Sequence, residues 1–136
     1  MHSSYQKNAP MASKPPVAPE RQVAFKLGLS AESRASAFLM AKGFRIVARR
    51  WRCPAGEIDI VAKRGNLLIF VEVKAREKLD DAAYSVTERQ QRRIAAAAAG
   101  WLAVNPDDAM RDMRFDVILV APRAWPRHIT AAFEAE

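Results

Sequence analysis

Two periods of apolar and polar residues run along this chain. Between residues 44 and 75 the repeat is two, the spacing of strands whose side chains alternate between faces. Three strand segments result: FRIVARRWR (44–52), GEIDIVA (56–62) and LLIFVEVKA (67–75). The spacer Lys63-Arg64-Gly65-Asn66 reads as a hairpin turn, with Gly65 free to take positive φ. On either side the period becomes helical. One helix is predicted from about Ala31 to Lys42, with Ser30 as N-cap and Gly43 just past the end. Ala35, Phe38 and Leu39 form its apolar face, and Glu32 lies on that same inward face. A carboxylate at the head of a buried stripe is unusual, although the first turn of a helix favours negative charge. A second helix is predicted over about Glu88 to Val104. Thr87 and Gln90 fit a capping box, Ile94, Ala97, Ala98, Trp101 and Leu102 form its stripe, and Asn105-Pro106 ends it. Arg114 to Val120 reads as a further strand, and the closing HITAAFEAE is ambiguous between states. The order helix, three strands, helix, strand predicts an α/β domain with a central mixed β-sheet flanked by helices.

Composition sharpens the boundaries. Residues 1–22 are rich in Pro, Ser and Ala and lack an apolar stretch, which predicts a disordered tail ahead of a single domain over 23–136. The chain has 136 residues, a formal charge of +7, and half its residues apolar. That is enough for one core and basic enough to favour a polyanionic partner, nucleic acid before a membrane surface. No apolar run approaches the roughly 20 residues that span a bilayer. Cys53 is the single cysteine, so an intramolecular disulfide and a cysteine-rich zinc site are excluded. A free thiol suits a reducing cytoplasm.

The chemistry concentrates in the central hairpin. Phe70, Glu72 and Lys74 share one face of their strand. Glu57, Asp59 and Val61 share a face of the neighbouring one, opposite Ile58 and Ile60. A turn centred between Arg64 and Gly65 sets Asp59 across from Phe70 and Glu57 across from Glu72. Asp59 and Glu72 are then diagonal neighbours on one face, with Cα atoms roughly 7–8 Å apart. A slip of one residue would send them to opposite faces. Two carboxylates about 5 Å apart repel by about 3 kcal/mol at an effective dielectric of 20. An apolar strand gathers such acids when a cation compensates them. Lys74 supplies part of the charge, and a divalent ion would supply the rest, with all-oxygen ligands suiting Mg²⁺ or Mn²⁺. Those parts suffice for hydrolysis of a phosphodiester. The competing reading of ExK in a strand is a solvated face carrying a Glu–Lys pair. The matching parity of Asp59, the glycine turn and the basic composition weigh against it.

The segment GEIDIVAKRGNLLIFVEVKAR (56–76) closely resembles the signature of the YraN-like family, predicted endonucleases related to archaeal Holliday junction resolvases and to the PD-(D/E)xK nucleases. Glu32, Ala35, Leu39 and Gly43 upstream, and Ser85-Val86-Thr87 and RFDVILV (114–120) downstream, extend the resemblance over about residues 25–133. The resemblance implies a restriction-endonuclease-like core. It also implies that Asp59 and Glu72 are metal ligands, that Lys74 is the catalytic lysine and that Glu32 is a further acidic site residue. A DNA substrate, in branched or otherwise irregular form, follows from the same resemblance, and so does a homodimer by analogy with junction enzymes that cut two strands. The chain departs from the family pattern at Gln90, where a lysine is common.

Several other residues carry weaker signals. Glu57 is an accessory candidate on the Asp59 face, or a solvated strand-end acid. Gln90 can contact a phosphate or water without adding charge. Arg49, Arg50 and Arg52 around Trp51 suit phosphates and unstacked bases, and Arg76 extends that basic rim, joined by Lys78, Arg89, Arg92 and Arg93. Asp116 and His128 read as structural, Trp101 reads as core, and Trp125 carries no signal. The sequence thus supports a metal-dependent DNA endonuclease. A nucleic-acid-binding module without turnover and an interaction protein with a structural acid cluster are the alternatives. The intact Asp59, Glu72 and Lys74 favour the first.

Overall fold

The computed structural model describes residues 30–80 and 85–134. The tail expected over residues 1–22 lies outside them. Helix α1 spans Ala31–Ala41, and the Ser30 hydroxyl accepts the Ser33 N–H at 3.1 Å as its N-cap. Gly43 follows with φ 91°, a conformation that a side chain would oppose. Three strands come next: β1 (Arg45–Cys53), β2 (Gly56–Arg64) and β3 (Leu67–Ala75). Helix α2 spans Glu88–Val104 with a complete capping box: Gln90 N–H donates to Thr87 Oγ1, and Thr87 N–H donates back to Gln90 Oε1. A short 3₁₀ helix (Pro106–Met110) leads into β4 (Asp112–Val120), and β5 (Arg127–Phe133) closes the sheet. The ambiguous final segment is therefore a strand, antiparallel to β4.

The five strands lie in the order β1-β2-β3-β4-β5, and only the β3–β4 pair is parallel. A parallel neighbour needs a crossover, and α2 provides it. The result is an α/β fold with a mixed sheet and a helix on each face, consistent with a restriction-endonuclease-like core. Ala31, Ala35 and Leu39 of α1 pack on Ile60, Ala62, Ile69 and Val71, while Ala97, Ala98 and Trp101 of α2 pack on Val61, Leu68 and Phe70. Phe38 is only half-buried, with the Lys42 ammonium 5.3 Å from its ring centroid, so the apolar face of α1 is narrower than its spacing predicts.

Two sequence expectations about the hairpin need correction. The loop is the two-residue Gly65-Asn66, with positive φ only at Gly65, the type II′ arrangement. Partners therefore shift by two: Val61, not Asp59, faces Phe70, and Ile60 faces Val71. A shift of two keeps the paired residues 60–64 and 67–71 on their expected faces, and the pairing stops at Ile60–Val71, one residue short of Asp59 and Glu72. The second correction concerns Ile58, which packs with Val61 and Phe70 on the α2 side and not beside Ile60. Alternation along β2 thus breaks at Asp59.

Candidate active site

The break at Asp59 marks a fork. The β2–β3 ladder ends at the Ile60–Val71 pair. Beyond it the two strands part, and the Val73 N–H loses a backbone partner. Asp59 Oδ2 accepts that N–H at 2.7 Å, which fixes the carboxylate in the mouth of the fork. Strand β1 follows the distortion: Arg49 pairs with Ile60 and Trp51 with Ile58, leaving Arg50 across from Asp59 with φ 52°. A left-handed backbone at a non-glycine residue costs about 1–2 kcal/mol, and such strain concentrates at functional sites.

Two acids and one lysine meet there, with two more acids in the surroundings. Asp59 and Glu72 stand within hydrogen-bonding reach of each other, and Glu32 and Glu57 lie close enough to act on Asp59 through their charge. Burial, then the Glu72 charge, push the Asp59 carboxyl up to about 8, against the pull of the Val73 N–H. Burial also raises Glu72, although Lys74 and the Asp59 hydrogen bond pull it down. The pair therefore retains a proton that ordinary carboxyls would have lost, because a second negative charge has no counter-ion beside it. Lys74 is 6% exposed, and its Nζ sits 4.0 Å from Glu72 Oε2, a long contact that balances one acid rather than two.

The remaining candidates divide into two groups. Arg50 and Arg52 reach Glu57 at 3.7 and 3.3 Å, so this accessory acid is an arginine-bound rim residue. Arg49 Nη2 donates to Ser33 Oγ at 2.9 Å, which ties β1 to the first turn of α1 beside Glu32. Arg76 is exposed one turn of strand beyond Lys74 and tempers the charge on Glu72. Trp51 and Gln90 are placed differently. Trp51 is half-buried, edge-on to Trp101 with ring centroids 5.4 Å apart, at the margin of the α2-side core. The Gln90 carbonyl is committed to capping α2.

Other charged side chains are structural. Asp116 accepts from Arg114 through two bonds of 2.9 Å and from the Ala131 N–H at 2.9 Å, and it pairs with His128 Nε2 at 2.7 Å. Burial works against its ionisation, yet these bonds hold its carboxyl below the usual range. Lys42 Nζ lies 2.7 Å from His128 Nδ1, so an Nε2-protonated imidazole satisfies both neighbours. Asp108, which nothing in its local sequence singles out, accepts from Lys63 at 2.7 Å and from Arg111 and Trp101 at 2.9 Å. Sequence reasoning also misses Ser33 and Arg34, whose roles depend on contacts with distant segments.

Among the described residues, no group of three or more His, Cys, Asp or Glu side chains is arranged to hold a metal ion. Two touching carboxyls short of a counter-charge still fit Mg²⁺ or Mn²⁺. Mg²⁺ commonly uses one or two protein carboxylates and completes its shell with water and substrate phosphate. No helix among the described residues is long and apolar enough to cross a membrane.

Comparison with known proteins finds a family without naming a reaction. A family model described as "Uncharacterised protein family UPF0102" matches residues 31–120. A protein of Rhodopseudomonas palustris named only as a UPF0102 protein is 64% identical over 121 residues, covering 89% of this chain and 93% of its own length. A Bradyrhizobium diazoefficiens relative is 65% identical over 117 residues, covering 86% and 88% of the two chains. One from Nitrobacter winogradskyi is 60% identical over 115 residues, covering 85% and 98%.

Proposed function

The chain belongs to the UPF0102 family, the YraN-like family of predicted endonucleases, and from that membership and the chemistry of the fork we propose that it is a metal-dependent endonuclease of DNA. The observation that carries the reading is the contact between Asp59 and Glu72. Both are raised by burial, and the positive charge of the buried Lys74 and the exposed Arg76 falls on Glu72 without bringing either carboxyl back to its ordinary value. A structural ion cluster closes on itself, as around Asp116. This one is left short of positive charge.

Asp59 and Glu72 would hold Mg²⁺ or Mn²⁺ in this reading. A cation held by these two carboxylates would supply Lewis-acid chemistry toward a phosphate oxygen and toward water. The Val73 N–H keeps Asp59 oriented, so the carboxylate does not reorganise when the substrate arrives. Lys74 sets its ammonium toward the acids, where it can orient the attacking water and stabilise charge gathering on the phosphate oxygens. Water adds to phosphorus and gives up a proton to solvent as the bond to the leaving strand oxygen breaks, and that oxygen takes a proton from solvent. Glu32 and Glu57 add negative charge at the rim and help draw the cation in. Arg49, Arg50, Arg52 and Arg76 carry the phosphates of a bound duplex, neutralising charge that the acids would otherwise repel. The proposed setting is a reducing cytoplasm, in which Cys53 stays a thiol, with a homodimer meeting two strands.

Cleavage of end-labelled linear, nicked, flapped and four-way DNA in Mg²⁺ or Mn²⁺ tests the proposal. Wild-type protein should cut at least one substrate, and Asp59→Ala and Glu72→Ala should cut none. Salt-sensitive binding with no cleavage would transfer the fork to a non-catalytic binding module. Binding of neither cation nor DNA would leave the acids a structural cluster.

A further inference from the structure

The β4–β5 loop presents a feature that the active-site reading leaves unused. Trp125 is 84% exposed, the most open aromatic side chain among the described residues. An exposed indole offers a large apolar surface to water and commonly marks a contact surface. Here the loop behind it is held in place. Arg34 Nη1 donates to Ala121 O and Arg34 Nη2 to Ala124 O, both at 3.3 Å, so one guanidinium grips two carbonyls of the loop. Pro122 and Pro126 restrict the backbone further. Exposed Arg123 and Arg127 stand on either side of the indole in sequence.

Topology sets this loop beside the fork. Strands β3 and β4 run parallel, with Lys74 paired to Leu119 and Ala75 to Val120. The chain leaves β4 at Ala121, on the same sheet end as Lys74 and roughly 8 Å from it along and across the strands. Arg34, the clamp, follows Glu32 by two residues on α1. The loop that carries the indole therefore leaves the sheet at the end that carries the acids.

We propose that Trp125, presented by the clamped loop between Pro122 and Pro126, is a stacking platform for an unpaired nucleobase and directs the protein to DNA with single-stranded or distorted segments. Each base offers a π-face, so stacking on tryptophan recognises exposure of the base and not its identity. In an intact duplex both faces of every base are already covered, and Trp125 has nothing to gain. Flanking arginines suit the phosphates on either side of the extruded base. The inference rests on the DNA reading above and names the substrate class for it.

The test is equilibrium binding by the full chain of fluorescently labelled DNA in EDTA, with a perfect duplex and the same duplex carrying a single-stranded flap. Because no divalent ion is present, the readout does not depend on turnover, and absence of cleavage would count only against the nuclease reading. Trp125→Ala should weaken flap binding about five- to a hundredfold and change duplex binding less than twofold. Trp125→Phe should recover most of the loss. Single-stranded DNA should quench the tryptophan fluorescence of the wild type, and the Ala variant should lose that quenching while keeping the wild-type circular dichroism. Equal loss on both DNAs, or no loss on either, would overturn the proposal. So would a Trp125→Ala variant that binds DNA normally but sediments as a smaller species, since the indole would then meet protein.

Discussion

Two acid centres, one buried and one half-buried, share this sheet and differ in how the chain treats them. On β4, Asp116 is fully enclosed and answered by Arg114, His128 and the Ala131 N–H, which together depress its carboxyl. In the fork, Asp59 and Glu72 face each other with one lysine and both rise. The same physical cost, taking a carboxylate out of water, is met at Asp116 by a full set of partners and in the fork only in part. Burial alone therefore does not mark a functional acid. A shortage of partners does.

The largest effect should separate the two centres outright. Asp59→Ala or Glu72→Ala should lower cleavage about a thousandfold or more and leave the thermal midpoint near or above that of the wild type. Asp116→Ala should do the reverse. It strands a half-buried guanidinium and a buried imidazole, so urea titration should show a loss of roughly 3 kcal/mol. Next in size, Lys74→Met should slow single-turnover cleavage about a hundredfold or more.

A smaller effect concerns pH. The Asp59 carboxyl holds in the folded state, up to about 8, a proton that the unfolded chain releases near 3.8. Its contribution to metal-free stability is thus fully present below about pH 4 and is lost as pH rises through 8. Asp59→Asn should remove that slope and stabilise the metal-free protein at pH 8 by on the order of 1–3 kcal/mol, read as a higher midpoint in thermal melts from pH 5 to 9. Asp116→Asn should not. The smallest effect is at Gln90, where Gln90→Ala should cost about 0.5–1 kcal/mol through the lost capping box and leave single-turnover cleavage unchanged.

What the sequence made readable follows from the range of each interaction. The ends of α2 were visible because Thr87, Gln90 and Asn105-Pro106 act within a few residues. The closeness of Asp59 and Glu72 was legible because they sit just past the last paired residues of one hairpin, although the fork and not strand parity brings their side chains together. The register shift of two was not, since a four-residue spacer allows more than one turn and only the II′ geometry at Gly65-Asn66 selects among them. The fork was hidden as well: Ile58 looks like a partner of Ile60 until Asp59 takes the Val73 N–H and the strand turns over. β5 was obscure because its alternation is weak and its anchor, the Ala131 N–H on Asp116, lies 15 residues away in the chain. Trp51 shows the limit from the other side, since its edge-on contact with Trp101 comes from a helix 50 residues away and cannot be read from the arginines around it.

The most direct test of the missing counter-charge is calorimetric titration of Mn²⁺ into the metal-free protein at pH 6 and pH 8. Wild-type protein should bind more tightly at pH 8, with proton release at the lower pH, and Asp59→Asn should abolish binding while Asp116→Asn retains it in whatever fraction stays folded. Binding that is absent from the wild type, or that survives Asp59→Asn unchanged, would contradict the claim that the fork awaits a cation.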